Sequence, residues 1–367
     1  MISQRLESLD VFRGLTIAAM ILVSSPGTWD AVYAPLNHAV WHGWTPTDLV
    51  FPFLLFAMGA AVPFAMARRR GSNRRVRLHV IRRGLILFAM GLALNAMQMP
   101  SLDLATFRIP GVLQRIAIVY VVVAALTQRA SPRAQVMAAA AALGSYWAVM
   151  VLVPVPGAGA GVLTPEGNLA GFIDRAIFGA HLANRYGDPE GLLSAIPAIA
   201  TALCGVLAGD WLNRPSATRH RTATLLAAGL AAAAVALLWD RVFPINKNLW
   251  TSSFALLSAG LAAAVLSLCH WVLDVRRWRG WERPSLAFGR NPLVGYTLST
   301  ALDSLLARWT LRGDASIKSI IFRRAFASWA LPCCGAEAAS LFYALAYVAL
   351  WAFVLGRMYR RHIFVGI

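Results

Sequence analysis

Residues 48–67 read DLVFPFLLFAMGAAVPFAMA, twenty residues whose one charged group, Asp48, stands at the first position. Arg68, Arg69 and Arg70 follow directly. An apolar helix of about 20 residues is what it takes to cross the hydrocarbon core of a bilayer. Comparable runs recur near 11–24, 80–98, 111–128, 134–153, 191–212, 222–240, 249–274, 287–307 and 338–356. The first of these is short. The run at 287–307 is the weakest, because Asn291 and Asp303 dilute it. No internal repeat and no Pro/Ser-rich linker divides the chain. The expected fold is an all-α, polytopic membrane helical bundle of about ten transmembrane helices, one domain over 1–367.

Composition points the same way. The 367 residues are 58% hydrophobic and only 14% charged, with a mean hydropathy of +0.60. A soluble domain carries roughly 25% charged residues. The net charge is +18, and 32 of the 34 cations are arginine. In a soluble protein such an excess would suggest nucleic acid. Here most of it lies in short loops between apolar runs, where it reads as topology and contact with anionic membrane lipid, and nucleic acid is set aside. With the N-terminus inside, inner segments hold 22 cations, eight of them between 68 and 83, against 11 outside. Both termini are therefore expected in the cytoplasm. The outer stretch 308–336, with Arg312, Lys318, Arg323 and Arg324, runs against this bias. Its Ile317, Ile320, Ile321 and Phe322 suggest a helix lying along the interface. Four cysteines are too few for a disulfide framework. Residues 1–24 lead to no cleavage site, so the first span is expected to be retained.

Charges inside apolar spans are costly and so mark candidate functional positions. Asp10 and Arg13 share a helix face at i, i+3, where an internal ion pair is the simpler reading. Residues 37–48, NHAVWHGWTPTD, hold no Lys or Arg and lead straight into the run at 48–67. Thr45 or Thr47 can cap that helix, with Pro46 in its first turn and Asp48 beside its positive end. Three readings stay open: an interfacial loop with an aromatic belt, a metal site on His38, His42 and Asp48, and general-base chemistry by a histidine near Asp48. No cysteine or third well-placed histidine supports the metal, and none is expected. Further polar clusters at outer edges are RIPGVLQR (108–115), DPEG (188–191) and PINKNLW (244–250), with Asp174, Arg175 and His181 in a long 154–190 connector.

Seven stretches together resemble a known family. SLDVFRGLTIAAMILV (8–23), NHAVWHGWTPTDLVFPFLLFAMG (37–59), RIPGVLQRIAIVY (108–120), FIDRAIFGAHL (172–182), DPEGLLSAIPAIATALCGVLAG (188–209), FPINKNLWTSSFAL (243–256) and YRRHIF (359–364) occur in order. They are similar to the membrane domain of the heparan-α-glucosaminide N-acetyltransferase family and its bacterial NagX-type relatives. The resemblance implies a transmembrane acyltransferase, moving acetyl from cytosolic acetyl-CoA to the amine of a glucosamine-type sugar at the outer face. It implies His38 as the active histidine, with Asp48 and Arg115 at family motif positions. Where the family usually has Asn at the outer end of the first span, this chain has Ser24.

From this follow the remaining expectations. His38 acts as base or acetyl carrier, Asp48 orients its ring, and Arg115 or Asn246 stabilises the oxyanion. Ser24, Trp41, Glu190, Asn246, Lys247, Asn248 and Trp250 bind the sugar. Sidedness assigns Arg82, Arg83, Arg290 and Asn291 to acetyl-CoA, which is a co-substrate. The setting is a bacterial inner membrane, and a homodimer is left open. An envelope polysaccharide O-acyltransferase and an amino-sugar permease without chemistry are the alternatives.

Overall fold

The computed structural model describes residues 6–67, 73–99, 103–214, 217–310 and 315–366. Arg5, Arg68, Arg69, Arg70 and Arg312, which entered the charge argument, lie outside them. The chain forms α1 (Glu7–Ser24), α2 (Pro46–Ala67), α3 (Asn73–Gln98), α4 (Val112–Arg129), α5 (Pro132–Leu152), α6 (Leu169–Phe178) and α7 (Ala195–Leu212). It continues with α8 (Thr218–Trp239), α9 (Ser252–His270), α10 (Arg283–Arg290), α11 (Pro292–Arg308), α12 (Ile317–Phe322), α13 (Ser328–Cys334) and α14 (Ala336–Arg360). No strand occurs among the described residues.

Eight helices are long and apolar enough to cross a membrane: α2, α3, α4, α5, α7, α8, α9 and α14. The other two expected spans are also helices in the expected places. α1 carries Glu7, Asp10 and Arg13, and α11 is 17 residues long with Asp303 in its second half. The 308–336 stretch holds two short helices, α12 and α13, with a wider π turn between them at Arg323–Ala327.

Side-chain caps set several helix starts. Ser131 accepts from the Ala134 N–H, with Pro132 in the first turn of α5. Asn168 caps α6 through the Gly171 N–H at 2.6 Å, and Thr251 caps α9 through that of Phe254. Each cap satisfies a backbone donor that the helix itself leaves open.

α2, α7 and α9 are mostly buried and form the centre, while α5 and α8 expose most of their length. Lipid offers no hydrophobic drive between helices, so contact rests on close backbone approach at small residues. α1 and α10 meet this way: a Cβ on Gly14 would lie 1.7 Å from the Ser285 carbonyl oxygen, and one on Gly289 1.8 Å from that of Asp10. α2 and α7 touch similarly, Gly59 against Ala202, and Gly205 and Gly209 against the Phe56 and Ala60 carbonyls.

The α1–α2, α5–α7 and α8–α9 connections meet at one end of the bundle. There Gly43 N–H donates to the Ile245 carbonyl at 2.8 Å and the Trp41 indole to that of Leu163 at 2.8 Å. The opposite end gathers the start of α1, α10 and the C-terminal tail. Arg279 pairs with Glu7, and Asn291 ties the tail through Ile363 and Val365.

Candidate active site

The loop 37–45 folds over the entrance of α2. Thr45 Oγ1 donates to the Asn37 carbonyl at 2.6 Å, closing the loop. Asp48, in the first turn of α2, is buried, and its carboxylate organises everything around it. Oδ2 accepts the backbone N–H of Thr45 at 2.9 Å and of Ala39 at 3.1 Å. Oδ1 lies 2.7 Å from His38 Nδ1. A neutral imidazole in this geometry donates its Nδ1–H to Asp48 and keeps the Nε2 lone pair free for a proton. The ring itself is half exposed, with 49% of the side chain accessible, so it can meet a substrate while Asp48 cannot.

Lys247 reaches the same ring from the α8–α9 connection. Its Nζ lies 3.0 Å from His38 Nδ1, 3.2 Å from Nε2 and 3.6 Å from Asp48 Oδ1. The NKNLW string explains this placement. Asn246 is fully buried and holds the turn from within: its Oδ1 accepts from Leu249 N–H at 3.0 Å and its own N–H donates to Thr251 Oγ1 at 3.0 Å. Tyr146 OH donates to the Leu249 carbonyl, and Trp250 takes a left-handed φ of 50°, uncommon for a bulky residue. The turn is thus held rigidly enough to present Lys247. Burial pushes the Lys247 ammonium below the ordinary lysine range, against the opposing pull of Asp48 and Glu190.

A second charged group stands beside the first. Arg108 donates Nε to Asp188 Oδ2 at 2.9 Å and Nη2 to Asp188 Oδ1 at 2.7 Å and Glu190 Oε2 at 2.6 Å. Burial alone would raise the Asp188 pKa, but Arg108 and the N–H groups of Glu190 and Ala183 hold it below the usual carboxylate range. Asp174, on α6, accepts from Leu192 N–H at 2.9 Å, and burial pushes its own carboxyl up. Arg115, fully buried on α4, donates to the Gly191 carbonyl at 2.8 Å and to Ser194, with its guanidinium 5.0 Å from the Trp250 ring centre. Together these residues fix the 188–194 segment and with it Glu190.

His38, Lys247, Glu190 and Ser24 line a cleft of about 610 Å³, within the usual range for small-molecule sites. Its other walls include Trp29, Gln98 and Arg108, and Tyr296, Thr300, Asp303 and Ser304 of α11. A second, mostly apolar cavity of about 260 Å³ adjoins it, sharing Val112 and Tyr296. That cavity runs between α1, α2, α3, α4 and α11, and its charged lining residues are Arg13 and Arg83. Arg83 stands over the Tyr120 ring at 4.8 Å, and its buried Nε has no hydrogen-bond partner. An orphaned guanidinium nitrogen at the edge of an apolar cavity fits an anionic headgroup on a long, weakly polar arm.

The remaining expected residues lie elsewhere. Arg115, Asn246 and Trp250 are buried beneath the site, and none lines the cleft. Trp41 and Asn248 line a neighbouring pocket with Asp174 and Asp188. Arg82 is exposed and outside the inner cavity. Arg290 stands 5.2 Å over Tyr359 and 5.5 Å over Phe364, and Asn291 secures the C-terminal tail. Sequence reasoning missed the α11 face and the cavity role of Arg13. For α11 the signal was present as the weak hydropathy of 287–307. Asp10 and Arg13 do form the i, i+3 pair, at 3.5 Å. Among the described residues, no three His, Cys, Asp or Glu side chains gather as metal ligands.

A family model described as a domain of unknown function, DUF5009, matches residues 5–157. The human heparan-alpha-glucosaminide N-acetyltransferase is 28% identical over 420 aligned positions, covering 98% of this chain and 59% of the human protein. The mouse protein of the same name is also 28% identical, covering 90% of this chain and 59% of its own length. The chain thus spans 59% of the length of these relatives. The resemblance read from the motifs holds along almost the whole sequence: this chain is a multi-pass helical membrane protein similar to the heparan-alpha-glucosaminide N-acetyltransferases.

Proposed function

We propose that the protein is a membrane acyltransferase moving an acetyl group from acetyl-CoA to the amine of a glucosamine-type sugar. The observation that carries this reading is the pair of adjoining cavities. One is the smaller and mostly apolar with two arginines, and the other is larger and more polar with His38 on its wall. Coenzyme A carries phosphates that cannot cross a bilayer, and a glycan cannot enter one. A passage through the bundle lets the pantetheine arm bridge them. Arg83 and Arg13 are the cations placed to take the donor's anionic end, and the thioester would reach the junction at Val112 and Tyr296.

In the cleft, His38 Nε2 takes the proton as the sugar nitrogen attacks the thioester carbonyl carbon. The new C–N bond forms, the C–S bond breaks, and the thiolate takes up a proton to leave as the free thiol of coenzyme A. In the two-step variant the imidazole nitrogen attacks first and carries the acetyl group. Asp48 holds the ring in one tautomer, as an orienting carboxylate does in a catalytic triad. With Arg115 and Asn246 outside the cleft, Lys247 is the group placed to stabilise the oxyanion. The arginine-rich end would face the cytoplasm of a bacterial inner membrane, both termini with it, and His38 the outside.

The test is purified protein in liposomes with labelled acetyl-CoA inside and glucosamine, its oligomers or a hydroxyl-only sugar outside. Label on the amino sugar is the expected result. Label on the hydroxyl sugar alone would favour O-acylation, and sugar flux without label a permease.

A further inference from the structure

We propose that the polar face of α11 is a sugar-ring subsite, in which Asp303 and Thr300 hold ring hydroxyls and Trp29 covers the ring's apolar face. This deepens the acetyl-transfer reading and rests on it for the identity of the sugar. Tyr296, Thr300, Asp303 and Ser304 recur at helical spacing, and all four line the cleft. The opposite side of α11 is apolar, with Leu298 outward and half exposed. A carboxylate inside a bundle helix is retained where it meets water, a partner or a ligand. Here it meets a partner and a cleft together.

The partner is Lys318 of α12, buried at 8% exposure, whose Nζ lies 2.9 Å and 3.1 Å from the two Asp303 oxygens. Oδ1 is buried, but 18% of the Asp303 side chain stays exposed, and one ammonium does not use up the acceptor sites of a carboxylate. The pair fixes the carboxylate in direction, which is what vicinal hydroxyls need in an acceptor. Ser304 spends its hydroxyl on the Thr300 carbonyl at 2.8 Å, so Thr300 is the better side chain for a ligand. Trp29, 56% exposed, offers an indole face to the same cleft, suited to the C–H face of a pyranose ring. An ion-paired carboxylate, one hydroxyl and one aromatic face fit the hydroxyls and the C–H face of a hexosamine ring better than they fit a lipidic ligand.

The experiment titrates the full-length protein, without acetyl-CoA, with the β-1,4 dimer of glucosamine and with cellobiose by calorimetry. Both sugars should bind, because the subsite reads hydroxyls. Trp29→Leu and Thr300→Val, which leave the ion pair intact, should each weaken both sugars about fivefold, the loss of one modest contact. Asp303→Asn should weaken them by about tenfold or more. Leu104→Ser, an exposed loop change outside the cleft, should alter nothing. The proposal is overturned if the wild type binds neither sugar. It is equally overturned if only Asp303→Asn loses binding, since Lys318–Asp303 would then merely anchor α12. A parallel transfer assay separates the two ideas. Subsite-dependent binding without acetyl transfer would remove the transferase reading and leave the subsite standing. Transfer with normal binding in all three variants would do the reverse.

Discussion

The two adjoining cavities differ in almost everything except their shared wall. The outer cleft is built from polar groups held by fixed partners: His38 by the buried Asp48, Glu190 by Arg108, Asp303 by Lys318. The inner cavity is lined mainly by Leu, Ile, Val, Met and Ala side chains with Tyr120 and Tyr296, and among the described residues its charged lining is Arg13 and Arg83. Polar side chains that answer one another can fix a reacting group to within a fraction of an ångström. A mostly apolar lining offers far fewer directional contacts. The outer region is thus suited to chemistry and the inner one to delivery, and substitutions in each should fail differently.

The sharpest break comes at His38. His38→Ala should fold and bind acetyl-CoA, yet lose transfer by about 10²-fold or more, the usual worth of a positioned acid–base group. His42, whose Nδ1 lies 3.5 Å from the Asn246 amide, should matter far less as His42→Ala. Near-normal transfer by a monodisperse His38→Ala protein would remove both of its roles.

Lys247→Met should cost about 10²-fold in kcat with little change in donor KM, as expected when an oxyanion-stabilising group is removed. Its pH profile sharpens the point. Burial lowers the Lys247 pKa, so activity should fall as pH rises through that lowered value, before the ordinary lysine range near about 10.4. Lys247→Arg should move this alkaline limb upward. The linkage has the opposite sense for stability: the folded state binds this proton less readily than the unfolded one. Stability should therefore rise with pH between the lowered and the ordinary value. An alkaline limb unmoved by Lys247→Arg would place the oxyanion elsewhere.

Asp48→Asn should reduce kcat about 10- to 100-fold, the worth of one charge-assisted hydrogen bond converted to a rate. It should also lower thermal stability, because the Thr45 and Ala39 N–H groups lose part of their acceptor.

In the inner cavity the expected effect is smaller and falls on binding. Arg83→Ala should raise the acetyl-CoA KM about tenfold, with kcat nearly unchanged, and weaken the salt dependence of donor binding. Arg82→Ala, one residue away and outside the cavity, should do almost nothing. Equal effects from both would mean that the donor binds to the basic surface rather than in the cavity.

This neighbouring pair shows how far a linear reading reaches. Arg82 and Arg83 are indistinguishable by charge and sidedness, and only the rotation of α3 against α4 turns Arg83 over Tyr120 while Arg82 stays exposed. Arg115 is the converse. Its motif position marked it as important, but its place under Gly191 and Ser194 makes it a support for the 188–194 segment. The weak hydropathy of α11 was visible from the start, yet its meaning depended on which helix faces it.

Read along the chain alone, the residues specify the helical membrane bundle, the family resemblance and a histidine close to Asp48 in one short loop, which the structure identifies as His38. Each is a short-range matter: a twenty-residue apolar run, a motif, and a loop returning onto the helix it precedes. The tertiary structure alone decided that Lys247 reaches His38 from 209 positions away, that Lys318 secures Asp303, and that Tyr296 and Val112 join two cavities. These depend on how the helices pack and are turned about their axes, and on which connections that packing brings to one end of the bundle, and periodicity in one helix expresses neither.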